Sequence, residues 1–280
     1  MVEDYITYPK TFEGYQWYKP IVTIVLTLVI YLIFAAVEFA VLPAVGLIPD
    51  NPPAGGYESF NTLNFVVIAM LLSIALSLPA LYIATKILKY RPFSSFSSSR
   101  GGWNWKLFFK CLTVPLAVYI VYYLILLLMF PLKGIKPVEI LPFVLLIIVV
   151  PLQCLAEEYI FRGLLMQTFG SWFNIPILAI VIQAIFFALI HDYNSLGVVA
   201  TLFSGLLWGY VAWKTNGLEA TSALHSVTNI CGLIVAALGV SSIRTSIGIE
   251  TLVLDIVVTL VSAALLLFVA KRYDWFGEEN

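Results

Sequence analysis

Charge is what this chain is short of. Only 11% of its 280 residues are Asp, Glu, Lys or Arg, while 61% are hydrophobic. Soluble globular chains average about 25% charged and about 45–50% apolar, so the departure excludes a soluble domain and implies an integral membrane protein. Cysteine is scarce too: Cys111, Cys154 and Cys231 stand singly in apolar runs, with no CxxC and no even-numbered set. They read as small buried hydrophobes, not as a disulfide framework or a metal site. A net charge of −1 and the lack of a basic tail offer nothing to nucleic acid. No cleavable signal peptide is evident; the first twenty residues, with Tyr5, Tyr8, Tyr15, Trp17 and Tyr18, read as an interfacial aromatic segment.

Long apolar runs are what the chain has instead. Crossing the hydrocarbon takes about 20 apolar residues, and runs of that kind cover Pro20–Leu42, Leu63–Ile87, Leu107–Phe130, Ile140–Phe169, Ile175–His191, Leu196–Trp213, Leu218–Val240 and Thr251–Ala270. The expectation is an all-α polytopic transmembrane bundle of about eight helices, forming one membrane domain over 1–280. The stretch IPDNPPAGGYES between the first two spans cannot continue a helix. No soluble domain fits, and no internal repeat is convincing.

The connection after the second span holds Lys86, Lys89, Arg91, Arg100, Lys106 and Lys110 without one acidic residue. The positive-inside rule places it in the cytoplasm, and alternation then places both termini there, in agreement with Lys271 and Arg272 after the last span. Lys133, Lys136 and Arg244 on the other side dissent.

Against this apolar background the run VPLQCLAEEYIFRGLL, Val150 to Leu165, carries Glu157, Glu158 and Arg162 inside a span. A charge at a helix centre costs about 2.5–3.5 kcal/mol, so three sum to about 8–10 kcal/mol before pairing or water reduces the total. The chain's two histidines, His191 and His225, also sit in or at the end of apolar spans. Residues i and i+4 share a helix face. On the fourth span Gln153 joins Glu157 and, on the neighbouring face, Glu158 joins Arg162. On the fifth, Gln183, Phe187 and His191 line up, and on the seventh Thr221, His225 and Asn229, flanked by Ser222 and Thr228. Lipid-facing stripes of this kind would be prohibitive, so the three should converge on one interior cavity. At 1.5 Å per residue they can meet if the turn after the fourth span projects about 10 Å beyond the membrane. The polar run Asp192-Tyr193-Asn194-Ser195 would then lie at membrane depth, where it must line water or be buried in protein.

Two chemistries fit these residues. A carboxylate with two imidazoles and an amide can activate water and stabilise an oxyanion, the equipment for amide hydrolysis. Alternatively Glu157, His191 and His225 could give three ligands to zinc with an open fourth position, although the spacing is not HExxH. Glu158 should stay ionised against Arg162.

The three stripes also resemble a known family. EEYIFR (157–162) matches an EExxxR motif, FALIH (187–191) matches FxxxH, and HSVTN (225–229) matches HxxxN, in that order on successive spans. Over roughly Leu141 to Ala236 the chain resembles the CPBP intramembrane proteases, named for CAAX prenyl proteases and bacteriocin-processing enzymes. The resemblance makes 141–236 the catalytic core and 1–140 and 241–280 flanking helices. It implies hydrolysis of a peptide bond in a lipidated or membrane-associated peptide or protein. Glu157 would activate the water, His191 would help to position it, His225 and Asn229 would hold the oxyanion, and Glu158 with Arg162 would support the site. The resemblance leaves zinc or no cofactor open.

Other residues read more simply. Gln183 and Phe187 read as packing, and Gly205 with Gly209 as a small-xxx-small pair allowing close helix contact. Glu38, near the outer end of the first span, reads as snorkelling. A proton-coupled transporter would also need buried Glu and His, but would show paired broken helices. A non-catalytic immunity or sensor-regulating partner would tolerate Glu157→Gln. A prokaryotic cytoplasmic membrane is the expected location.

Overall fold

The structure, a computed structural model, describes residues 3–50, 63–129, 134–239 and 246–277. Lys133, Arg244 and most of the proline-rich stretch lie outside them. Eight apolar helices organise the chain: α1 Lys19–Ala44, α2 Phe65–Leu88, α3 Trp105–Met129, α4 Ile140–Phe173, α5 Pro176–Leu189, α6 Ser195–Lys214, α7 Glu219–Ala237 and α8 Ile249–Arg272. Seven of them are long and apolar enough to cross a membrane, so the chain is an integral, multi-pass helical bundle. Among the described residues the only β pairing is an isolated antiparallel bridge between Ser98 and Gly217.

Local sequence explains the irregularities. α2 breaks at Leu76, between helices Phe65–Ala75 and Ser77–Leu88. Pro79 has no N–H, and its ring crowds the carbonyl of Ala75. Asn64 caps the start of α2, its Oδ1 accepting from Val66 and Val67 N–H at 3.0 and 3.2 Å. α5 has only 14 residues, about 21 Å against a hydrocarbon core of about 30 Å. The expected fifth span to His191 is therefore shorter as a helix, and His191 stands in the turn beyond it. α4, at 34 residues, runs longer than expected and contains a π-helical stretch, Tyr159–Met166.

α7 packs on α3, α4 and α6; α5 packs on α6, α8 on α3 and α6, and α2 on α4. The α5–α6 contact is close because Gly205 and Gly209 face it. A Cβ on Gly205 would stand 3.1 Å from the Cα of Ala184, and one on Gly209 3.1 Å from Ile180 Cγ2, as the small-xxx-small reading requires.

The N-terminal segment, the loop after α2, the α4–α5 and α6–α7 turns and the C-terminal residues gather at one end, the basic end. Tyr5 N–H donates to Asn216 Oδ1, Ser99 Oγ to the Glu3 carbonyl, Leu218 N–H to the Ser97 carbonyl, and Trp172 Nε1 to the Trp17 carbonyl. The first and last described residues thus share an end of the bundle. Two expectations change here. Tyr5 and Ile6 are fully buried, not interfacial; the Tyr5 hydroxyl donates to the Phe96 carbonyl. Arg91 and Arg100 are likewise built into the protein, Arg100 as an ion pair with Glu219 at 2.6 Å. Elsewhere, Glu38 is buried beside Ser73 and does not snorkel.

Gly170 in α4 is the tightest contact at the basic end: a Cβ there would lie 1.8 Å from Ile6 Cγ2 and 2.6 Å from the Ile6 carbonyl oxygen. Gly170→Ala is expected to destabilise the protein by about 1–3 kcal/mol through overpacking. Ile6→Ala in the same chain should recover only part of it, because the backbone clash stays. Thermal unfolding of the two single variants and the double variant in detergent measures both effects; strictly additive losses would show that the two positions do not touch.

Candidate active site

Glu157 and Glu158 close the regular part of α4, and Arg162 lies in its π-helical stretch. π-turns recur at functional sites and rotate the helix less per residue than an α-turn. Here the pair survives that change: Arg162 Nη1 meets Glu158 Oε1 at 3.0 Å, with neither side chain exposed. The guanidinium also lies over the rings of Phe187 and Trp208, at 4.4 and 5.5 Å from their centroids, and donates to the Gly205 carbonyl at 3.4 Å. Gln183 Nε2 donates to the same carbonyl at 2.8 Å.

His225 of α7 stands between the two glutamates. Its Nδ1 is 2.9 Å from Glu158 Oε1, and its Nε2 is 3.4 Å from Glu157 Oε2. Its ring stacks on Trp208 at 4.4 Å with a 29° tilt and meets the edge of Phe187 at 6.0 Å. Glu158 is held ionised by Arg162 and can only accept, so Nδ1 carries a proton. The contact between Nε2 and Glu157 lacks hydrogen-bond geometry, and Glu157 Oε2 is buried with no hydrogen-bond partner.

The remaining members sit around this quartet. Asn229, one turn beyond His225, donates to Gln153 Oε1 at 3.4 Å. His191 Nδ1–H donates to the Phe187 carbonyl at 2.6 Å, its ring stacks on Tyr193 at 5.9 Å, and it lies within electrostatic range of Glu157 and His225. All six residues expected from the sequence therefore occupy one region between α4, α5 and α7. Trp208 on α6 belongs there as well and is absent from the sequence reading. Its only signal is a tryptophan set within a span and not at its end.

The zinc alternative fares differently. Among the described residues no group of three His, Cys, Asp or Glu side chains is placed to hold a metal ion, and both nitrogens of His225 already face carboxylates. Glu157, His191 and His225 as arranged do not fit a zinc site.

With this geometry in view, comparison with known proteins is specific to the same helices. Residues 139–231 match the family model described as type II CAAX prenyl endopeptidase Rce1-like. These residues, a third of the chain, are similar to that family's core. The core is also similar to the uncharacterised protein YyaK of Bacillus subtilis (strain 168), 32% identical over 91 residues, a stretch covering 30% of this chain and 30% of that protein. No solved structure matches the chain.

The buried pair gives a stability test of the matched segment. Removing one partner of a buried ion pair costs about 3–5 kcal/mol, so Arg162→Met should lower the unfolding free energy by that much. Arg162→Met combined with Glu158→Gln should recover a substantial part of it. A double variant as unstable as the single would show that Glu158 is satisfied without Arg162.

Proposed function

We propose that this protein is an intramembrane endopeptidase of a prokaryotic cytoplasmic membrane, hydrolysing a peptide bond in a membrane-associated or lipidated peptide or protein. The observation that carries the reading is Glu157: a carboxylate oxygen buried among apolar helices, facing an imidazole yet bound by no hydrogen bond. An orphaned buried acceptor of this kind costs stability and calls for a role beyond packing. The family description of the matched segment supplies the reaction class, and the bacterial relative favours the location.

In the proposed reaction Glu157 takes a proton from water as the oxygen attacks the scissile carbonyl carbon. The carbonyl π electrons move to oxygen, and the oxyanion is held by N–H groups of His225 Nε2 and Asn229 Nδ2. As the oxyanion collapses, the C–N bond breaks and the proton on Glu157 passes to the leaving amine. Glu158 fixes Nδ1–H of His225, so that Nε2 points toward Glu157, and Arg162 keeps Glu158 ionised. His191 helps to place the water. No step uses a metal.

The test is cleavage of a fluorogenic peptide library, with and without a prenylated C-terminal cysteine, by the detergent-purified full chain. Glu157→Gln keeps the shape and removes the base, and should reduce turnover at least about a hundredfold. Asn229→Ala should cost about 100–1,000-fold in kcat. Both variants should keep wild-type thermal stability to within a few degrees, and cleavage should survive a chelator. Wild-type turnover in Glu157→Gln would remove the mechanism; a wild-type protein that cleaves nothing yet retains a binding partner would favour the immunity or regulatory reading.

A further inference from the structure

Away from the catalytic helices, the basic end holds a cavity of about 560 Å³ between the N-terminal segment and the C-terminal end of α2. Phe12, Glu13, Lys86, Lys89, Tyr90 and Arg91 line it. Three cations thus face a single carboxylate. Arg91 is the unusual member, with its side chain only 5% exposed. Its Nη1 donates to Gln167 Oε1 of α4, and its plane lies 3.5 Å from the Phe96 ring centroid. Its Nε and Nη2 are buried with no hydrogen-bond partner, and among the described residues no carboxylate forms an ion pair with it. Burial pulls the guanidinium below the usual arginine range, an effect that a bound anion would oppose.

We propose that this cavity seats the phosphate of an anionic phospholipid. Two unpartnered N–H donors on a guanidinium, with two flexible ammonium groups at the rim, match the several oxygens of a phosphodiester. The helix ends that flank it are also apolar on the outside. Ile83 and Ile87 bracket Lys86 in the last two turns of α2, Ile21 and Val22 lie in the first turn of α1, and all four are exposed, as are Trp17 and Tyr18 just before α1. Aromatic residues of this kind mark headgroup level, and basic residues next to membrane helices attract anionic lipid. A soluble phosphate would use the cations and leave those exposed apolar side chains without a role.

Native mass spectrometry of the full-length protein in detergent tests the site, titrating phosphatidylglycerol, phosphatidylcholine, glycerophosphate and inorganic phosphate. The wild type should take up one phosphatidylglycerol saturably and bind phosphatidylcholine at least about tenfold more weakly. Lys86→Gln with Lys89→Gln, both exposed and outside the packed core, should weaken phosphatidylglycerol binding by about tenfold or more. Lys106→Gln with Lys110→Gln, equally basic but outside the cavity, should leave it unchanged. Wild-type affinity in the first pair, or equal loss in both pairs, would overturn the site. Glycerophosphate or inorganic phosphate displacing the lipid at matching affinity would overturn the lipid assignment and leave a soluble-phosphate site. Because the readout is bound mass, peptide cleavage plays no part in the result.

Discussion

Neutrality within an apolar bundle is the constraint from which the rest of this structure follows. Two glutamates, an arginine and a histidine meet where neither Glu158 nor Arg162 is exposed to solvent, and only a set that sums to zero charge is tolerable there. Arg162 supplies one positive charge. His225 faces the two carboxylates with its two ring nitrogens. The pairing fixes the order of helices, because its members come from α4 and α7 while α5 and α6 supply the aromatic walls, Phe187 and Trp208. Gly205 then becomes necessary: with no side chain it lets α6 approach α5, and its carbonyl accepts from both Arg162 and Gln183.

The same meeting point dictates the basic end. His225 is about 9 Å from the start of α7, whereas Glu157 is about 24 Å from the end of α4 at helical rise. Bringing them together leaves α4 and the start of α5 overhanging α7 by about 10–15 Å. An overhang of that length needs cover, and the N-terminal residues and the loop after α2 provide it. Ile6 fills the space over Gly170, Phe96 sits over Gly163, and Arg91 with Ser95 binds Gln167. The buried Tyr5 and Ile6 are thus a consequence of the register that brings His225 to Glu157.

Much of this was legible in the sequence, for reasons that are themselves physical. A charged residue in a 20-residue apolar run has few explanations, so Glu157, Glu158, Arg162, His191, His225 and Asn229 identify themselves, and i+4 spacing predicts the 3.0 Å pair. Helix period says nothing about a π-turn, so the widened stretch from Tyr159 to Met166 was invisible. Nor can it show which partner a residue meets across helices: that His225 touches both glutamates, and that Trp208 stacks on it, depends on packing between α4, α6 and α7. Amphipathic aromatics in an N-terminal segment suit a membrane interface and a protein surface equally well, which is why Tyr5 read as an anchor and proved to be core.

Coverage is uneven across the site, and the unevenness has a direction. Glu158 and Arg162 are fully enclosed, Glu157 keeps slight exposure, and His191 and Asn229 are partly open. The open members lie on the side away from the basic end, toward the turn that α5 is too short to carry across the bilayer. There Asn194 caps α6 at Gly197 N–H and also bonds Ser246 and Ile247, so polar backbone at membrane depth is satisfied by protein. The more open residues thus lie to one side of Glu157 and the enclosed ion pair to the other, so the pair can stay dry and rigid. The enclosed half sets charge and orientation; had the exposure run the other way, the arginine would be hydrated and its hold on Glu158 weakened.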